Sequence, residues 1–292
     1  MQDLPSTAHF YSQNGEDVIL NALFKNRNNG VFVEVGCIDG KRFSNTLTFE
    51  ERGWNGLCVE AHSGYIDLLR KNRPNSIICH CAAGAQNAGS VSFYANSRGS
   101  LSTLDRSNET LFRSQYGAWF TGFEQQTVAL KRLDTLFKEH GITTIDIVSI
   151  DIEGSEVDAL RGIDLSIYRP SVFVIESSSP AEESAIDTIL IPKGYRKEYQ
   201  VSSNLFYVVK EFDCPMSTTA ESVISARLIH TRHPLDGVGD QMVNVDLDLQ
   251  ELKWAPRSGA SAAVQHMMNR AVHAIRPGLR RLRHVLNRAS KK

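Results

Sequence analysis

The sequence predicts an α/β fold: a mostly parallel sheet with an antiparallel C-terminal edge and helices on both faces. Three observations carry this. Val31-Phe32-Val33-Glu34-Val35 is a β-branched apolar run that enters the glycine loop Gly36-Cys37-Ile38-Asp39-Gly40. Further short apolar runs alternate with helix-like segments along the next 150 or so residues, the pattern of a parallel sheet. Two final runs, around Tyr199 and over Leu205-Phe206-Tyr207-Val208, meet at Ser202-Ser203-Asn204, the pattern of an antiparallel hairpin.

Taken in order, Ser12-Gln13-Asn14-Gly15-Glu16-Asp17 precedes a helical face of Ile19, Leu20, Leu23 and Phe24, and Asn14 with Asp17 has capping-box spacing. The turn Asn28-Asn29-Gly30 leads into the first strand. Gly36 and Gly40 let the following loop approach a ligand without a Cβ in the way, and Ser44 is placed to cap a helix carrying Leu47 and Phe49. Leu57-Cys58-Val59-Glu60 is the second strand, and Glu60 sits where an acid binds ribose hydroxyls, about 20 residues past the glycines. A helix marked by Tyr65, Leu68 and Leu69 is limited by Pro74. Residues 77–83 read as the third strand and 91–94 as another extended piece. Residues 97–126 are polar, aromatic-dotted and without a period, the character of a lid or a surface loop. Leu133, Leu136 and Phe137 mark a helix closed by Gly141. Residues 145–150 form the fourth strand, running into Asp151-Ile152-Glu153-Gly154, and 171–175 the fifth, ending in Glu176. Helices follow both, with Val157 and Leu160 on the first and Ile186, Ile189 and Leu190 on the second.

The chain divides into residues 1–210 as the α/β domain, 211–256 as an extension of weak pattern, in which 243–249 alternate like a strand, and 257–292 as a basic amphipathic helical tail. Of 32 Lys/Arg, ten lie from Leu252 onward with no acid among them; the other 22 face 33 Asp/Glu, so an acidic body carries a basic tail. Such a tail reads first as a solvated terminal helix, next as a helix on an anionic membrane surface, and last as a contact for nucleic acid or a protein partner. The five cysteines form no paired or zinc-like framework, and no apolar run approaches the roughly 20 residues of a membrane span. The opening Met-Gln-Asp-Leu-Pro has no signal-peptide character. The expectation is a cytoplasmic protein, peripheral at the inner membrane surface if the tail binds there.

Strand ends bearing Glu34/Asp39, Glu60, Asp151/Glu153 and Glu176 converge on one crevice in a doubly wound sheet. Acids there disfavour a pyrophosphate and suit a cofactor with hydroxyls and positive charge. S-adenosylmethionine (SAM) has both, whereas the loop lacks the Gly-x-Gly-x-x-Gly of dinucleotide sites.

Ser12-Gln-Asn-Gly-Glu-Asp17, Phe32-Val-Glu-Val-Gly-Cys-Ile-Asp-Gly40, Val59-Glu60-Ala61 and Ile150-Asp151-Ile-Glu-Gly154-Ser-Glu156 together resemble the FkbM-type SAM-dependent methyltransferases, over roughly residues 10–209. The resemblance implies a Rossmann-like class I methyltransferase fold and O-methylation of a glycan or small hydroxylated metabolite. It implies that Glu34, Gly36 and Gly40 line the methionine end, that Glu60 holds the ribose and Ala82 lies near adenine, and that Asp151 sits at the reaction end. Asp39, Ser44 and Ala61 complete the expected cofactor contacts. Glu34 stands where Asp is commoner, and Cys37 where a small residue is usual. Asp151 is the first candidate base, with Glu153 and Glu176 behind it; His62 and His80 read as structural histidines. The same three carboxylates offer oxygens of the kind Mg²⁺ takes, without a dedicated ligand motif. The absence of an Asp-Pro-Pro-Tyr type motif at the fourth strand argues against amino-group methylation of a nucleic-acid base. The competing readings are a SAM-binding module without catalysis and an RNA methyltransferase recruited by the tail.

Overall fold

In a computed structural model, which describes residues 9–25, 27–213 and 253–254, one twisted sheet separates two layers of helices. Its strands are β1 (Val31–Val35), β2 (Asn55–Glu60), β3 (Ser76–His80), β7 (Ile147–Ile150), β8 (Val172–Glu176), β9 (Tyr195–Val201), β10 (Asn204–Val209) and the two-residue β11 (Lys253–Trp254). The spatial order is β11-β9-β10-β8-β7-β1-β2-β3. Strands β3, β2, β1, β7 and β8 pair in parallel, while β10, β9 and β11 add antiparallel neighbours at the far edge. The chain leaves β1 towards β2 on one side and returns as β7 on the other, so the strand order reverses at β1. A ligand crevice forms at such a reversal, outside the carboxyl ends of the strands.

Both faces of the central strands are buried, which explains their unbroken apolar runs. Val33, Val35, Val148, Ile150, Phe173 and Ile175 pack under α5 (Leu133–Glu139), α6 (Glu156–Arg161) and α7 (Pro180–Leu190). Phe32, Cys58, Ile147, Val172 and Val174 pack on the other face under α1 (Glu16–Leu23), α2 (Leu47–Glu50) and α3 (Ile66–Asn72). Cys37, Cys58, Cys79 and Cys81 are buried free thiols.

Three elements differ from the sequence reading. The expected single strand over residues 77–83 breaks after β3, and β4 (Ala82–Ala83) joins a second sheet with β5 (Ala88–Ala95) and β6 (Glu124–Lys131), in the order β4-β6-β5. The break falls where the Cys81 N–H turns to the Glu60 carbonyl, 3.1 Å away. Residues 97–126 are not irregular throughout: they hold α4 (Asn108–Tyr116), a short 3-10 turn (Gly117–Trp119) and the start of β6. Asn14 and Asp17 do not form a capping box. Instead the Asp17 carboxylate accepts from the N–H groups of Tyr11 (2.6 Å) and Ser12 (3.2 Å) and from the Ser12 hydroxyl (2.6 Å). The Ser12 hydroxyl in turn accepts the Gly15 N–H at 3.0 Å. This hydrogen-bonded ring enters the helix at Gly15, whose φ of 94° suits glycine, and burial pushes the Asp17 carboxyl up to about 6.

Among the described residues, no helix is long and apolar enough to cross a membrane. The strand expected at 243–249 and the basic tail at 257–292 lie outside the described residues.

Candidate active site

Gly36 ends β1 with its N–H on the Val59 carbonyl (2.9 Å), while the N–H of Asp151, just past β7, is held by the Val35 carbonyl (3.1 Å). The two strand ends therefore lie side by side, and a Cβ at Gly36 would fall 1.8 Å from the Asp151 carbonyl oxygen. With φ at 90° as well, Gly36→Ala is expected to cost at least about 1–3 kcal/mol in backbone strain alone. Urea unfolding measures this, and a midpoint matching wild type would mean the two strand ends are not held this closely.

Around this junction opens a cavity of about 1010 Å³, as large as the roughly 300–1,000 Å³ typical of small-molecule sites. Glu60, Ala61 and Ala82 line one side with Phe93; Asp151, Glu153 and Glu176 line another. The aromatic segment of residues 112–119 supplies Phe112, Tyr116 and Trp119 to its wall.

Glu60 is buried at the end of β2. Its carboxylate accepts the N–H of Ile38 (2.7 Å) on one oxygen and of His62 (2.7 Å) on the other. Each oxygen keeps further acceptor capacity for a hydroxyl. Burial raises its pKa to about 7 against these hydrogen bonds.

The other expected acids separate into two groups. Glu34 and Ser44 reach the cavity wall, but the Glu34 carboxylate is engaged by Arg73 (2.8 Å), the hydroxyls of Ser44 (3.0 Å) and Thr46 (2.8 Å) and the Asn45 N–H (2.7 Å). Ser44 also accepts the Leu47 N–H at 3.0 Å, steadying the entry to α2. Asp39 binds the backbone N–H groups of Lys41 and Arg42 within its own loop. Gly40 faces Leu69 and Arg73, where a Cβ would come within 2.5 Å of both, so its lack of a side chain serves helix packing. Neither Asp39 nor Gly40 lines the cavity.

Arg73 had no signal in the sequence beyond preceding Pro74. It is fully buried, pairs with Glu34 and Glu50 (2.8 and 2.5 Å) and lies 5.0 Å over the Phe32 ring. Because Arg73 neutralises Glu34, the acidic part of the cavity narrows to Glu60, Asp151, Glu153 and Glu176.

Asp151, Glu153 and Glu176 bring one oxygen each within 4.8 Å of one another, and Asp151 shares a hydrogen bond with Glu176. Among the described residues no Lys or Arg forms an ion pair with these three. Burial, and then the neighbouring acids, hold Asp151 well above the ordinary carboxylate range, while burial raises Glu176 too. Burial and Glu176 raise Glu153 to about 8. Burial and the same three carboxylates push the phenol of Tyr116 up to about 12. The turn carrying Asp151 is fixed by Glu156, whose carboxylate accepts from Ile152 (2.8 Å) and Gly154 (2.9 Å). The three carboxylates give Mg²⁺ no support beyond their own oxygens, with no fourth side-chain ligand grouped with them among the described residues.

His62 and His80 are tied to backbone. His62 Nδ1 accepts the Gly64 N–H (3.1 Å) and Nε2 faces the Asn96 carbonyl (3.1 Å), and burial lowers its pKa. His80 Nε2 lies 3.2 Å from the Ala61 carbonyl.

These raised acids set a pH dependence. Glu60 and Glu153 bind protons more tightly in the folded than in the unfolded chain. Their neutral forms add stability that is complete below the unfolded carboxylate range and lost as pH rises through about 7–8. The ligand-free protein is therefore expected to melt at a lower temperature at about pH 8.5 than at about pH 5.5. Calorimetry across that range checks the sign, and a rising melting temperature would contradict it.

A parallel sheet reversed at β1, with a glycine junction there and a buried acid ending β2, has the Rossmann-like architecture of class I methyltransferases. The chain belongs to the FkbM methyltransferase family: the model of the methyltransferase FkbM domain matches residues 28–198. No curated protein matches its sequence. Among solved structures it is similar to an O-methyltransferase from Bacillus cereus in complex with SAH (14% identity, 70% of this chain and 84% of that one, TM-score 0.39). It is also similar to a putative RNA methyltransferase from Pyrococcus horikoshii (10% identity, 68% and 83%, TM-score 0.37). Fibrillarin from Aeropyrum pernix, with natively bound SAM, is a further neighbour (11% identity, 71% and 85%, TM-score 0.36).

The residues present fit SAM. Glu60 offers a buried carboxylate with spare acceptor capacity, Ala61, Ala82 and Phe93 form a low-polarity wall beside it, and the unpaired acids suit a cationic group.

Proposed function

We propose that the protein transfers a methyl group from SAM to a hydroxyl of a glycan or another small hydroxylated metabolite. The observation that carries this reading is the carboxylate group Asp151, Glu153 and Glu176 clustered in the cavity wall, within 4.8 Å of one another and held above the ordinary carboxylate range by burial. SAM supplies an electrophilic methyl group when bound. The chain's own part begins with Glu60 accepting ribose hydroxyls and with the walls around Ala82 and Phe93 covering the adenine. Asp151, once the proton of its hydrogen bond has moved to Glu176, accepts the proton of the acceptor hydroxyl as that oxygen takes the methyl group and the methyl–sulfur bond breaks. Glu176, hydrogen-bonded to Asp151, relays that proton or spreads the charge it leaves. Positioning supplies much of the remaining acceleration, and Phe112, Tyr116 and Trp119 are the side chains available to cover the acceptor and exclude water.

The test is SAM turnover, followed by mass spectrometry, across a panel of monosaccharides, oligosaccharides and polyhydroxylated small molecules. Methylation on oxygen of at least one acceptor is expected. SAM binding with no turnover on the whole panel would favour a SAM-binding module without catalysis, and methylation confined to amines would remove the O-methyl assignment.

A further inference from the structure

The segment that walls the acceptor side of the cavity is fastened to the turn that carries the carboxylates, at a single residue. Glu153 lies two positions past Asp151 with φ of 57°, a left-handed conformation costly for glutamate. Three groups from residues 101–108 converge on it. The Thr103 hydroxyl donates to the Glu153 carbonyl (2.8 Å), the Asn108 side-chain amide donates to the same carbonyl (3.3 Å), and the Leu101 N–H donates to the Glu153 carboxylate (3.3 Å). Thr103 is fully buried and is itself held by exchanged backbone hydrogen bonds with Tyr94 (2.9 and 3.0 Å). Asn108 is the first residue of α4, the helix that brings Phe112 and Tyr116 to the cavity.

We propose that Thr103 and Asn108 are positioning residues for methyl transfer, which hold the Asp151–Glu153 turn and the aromatic wall of residues 112–119 in one arrangement through the Glu153 carbonyl. Two donors on one carbonyl keep this turn in its left-handed conformation, so the carboxylates stay directed into the cavity. The same donors fix where α4 begins, and so how far Tyr116 reaches towards the carboxylates. Losing either donor frees the wall from the turn while leaving β1, β2 and Glu60 untouched. The catalytic meaning of this clamp rests on the methyltransferase reading; the clamp itself is measured without an acceptor.

The experiment compares the full chain with Thr103→Val, Thr103→Ser and Asn108→Ala. Hydrogen exchange reads the amides of Leu101 and of 108–119, and NMR follows the Leu101 amide shift with pH. That N–H reports Glu153, which is faced by Asp151 and Glu176 from the strand ends and by Tyr116 from α4. Thr103→Val and Asn108→Ala are expected to speed exchange at these amides about tenfold, as loss of one buried hydrogen bond does. Amides of β1 and β7 should keep wild-type protection. In both variants the Leu101 titration midpoint should fall towards the ordinary glutamate range as the carboxylate reaches solvent, and Thr103→Ser should restore both readouts. Unchanged exchange, an unmoved midpoint, no rescue by serine, or equal loss across β1 and β7 would each overturn the proposal. A parallel titration with SAH keeps the two readings apart: wild-type protein that fails to bind SAH counts against the methyltransferase reading and leaves the exchange result to judge the clamp.

Discussion

Arg73→Met is expected to destabilise the protein by about 3–5 kcal/mol, because removing one partner of a buried ion pair leaves charge buried and uncompensated. The arginine is fully buried, and its guanidinium is shared between two carboxylates on different elements, Glu34 on β1 and Glu50 on α2. It also donates to Thr46 (2.8 Å), Ser44 (3.1 Å) and the Gly40 carbonyl (3.3 Å). Methionine fills much of the volume and satisfies none of these acceptors. At about 2–4 °C per kcal/mol for a domain of this size, the melting temperature should fall by roughly 6–20 °C. Arg73→Lys keeps the charge but not the planar fork, and should fall between the two. Urea and thermal unfolding followed by tryptophan fluorescence measure both variants. A methionine variant within about 0.5 kcal/mol of wild type, the range of ordinary surface changes, would mean the network carries little stability.

Asp151→Asn is expected to lower methyl transfer by about 10²- to 10⁴-fold, the contribution typical of a positioned general base, and to change SAM affinity little. Asparagine keeps the shape and loses the ability to accept the acceptor's proton. The comparison is made between turnover with a responsive acceptor and the SAM dissociation constant measured separately. Equal losses in turnover and SAM binding would make Asp151 a cofactor ligand alone, and full activity would pass the role to Glu176 or Glu153.

The central strands were legible because both faces of the sheet are buried, so β1, β2, β7 and β8 show as plain apolar runs in a chain rich in polar residues. The carboxyl-terminal positions of Glu60, Asp151 and Glu176 followed from those runs. The network around Arg73 was not legible, since its acids lie 23 and 39 residues away and nothing local distinguishes a buried arginine from a helix-terminal one. For the same reason Glu34 could be placed at the crevice but not seen to be neutralised there. Asp39 and Gly40 sit in the right loop and face away from the cavity, a matter of side-chain direction that spacing does not encode. The helix α4 was missed because its polar majority masked Phe112 and Tyr116, whose spacing of four is a helical signal. β4 enters a second sheet by pairing with β6, Ala82 beside Leu130 and Ala83 beside Lys131, a long-range partnership that no local pattern of residues announces.

Calorimetric titration measures whether the cavity at the β1 junction holds SAM with Glu60 on its ribose. The full chain should bind SAM one to one, with no competition from NADH. Glu60→Gln should weaken binding by about 10- to 100-fold, as expected for losing hydrogen bonds to a charged acceptor. Wild-type protein that does not bind SAM, or a glutamine variant that binds it as tightly as wild type, would rule this arrangement out.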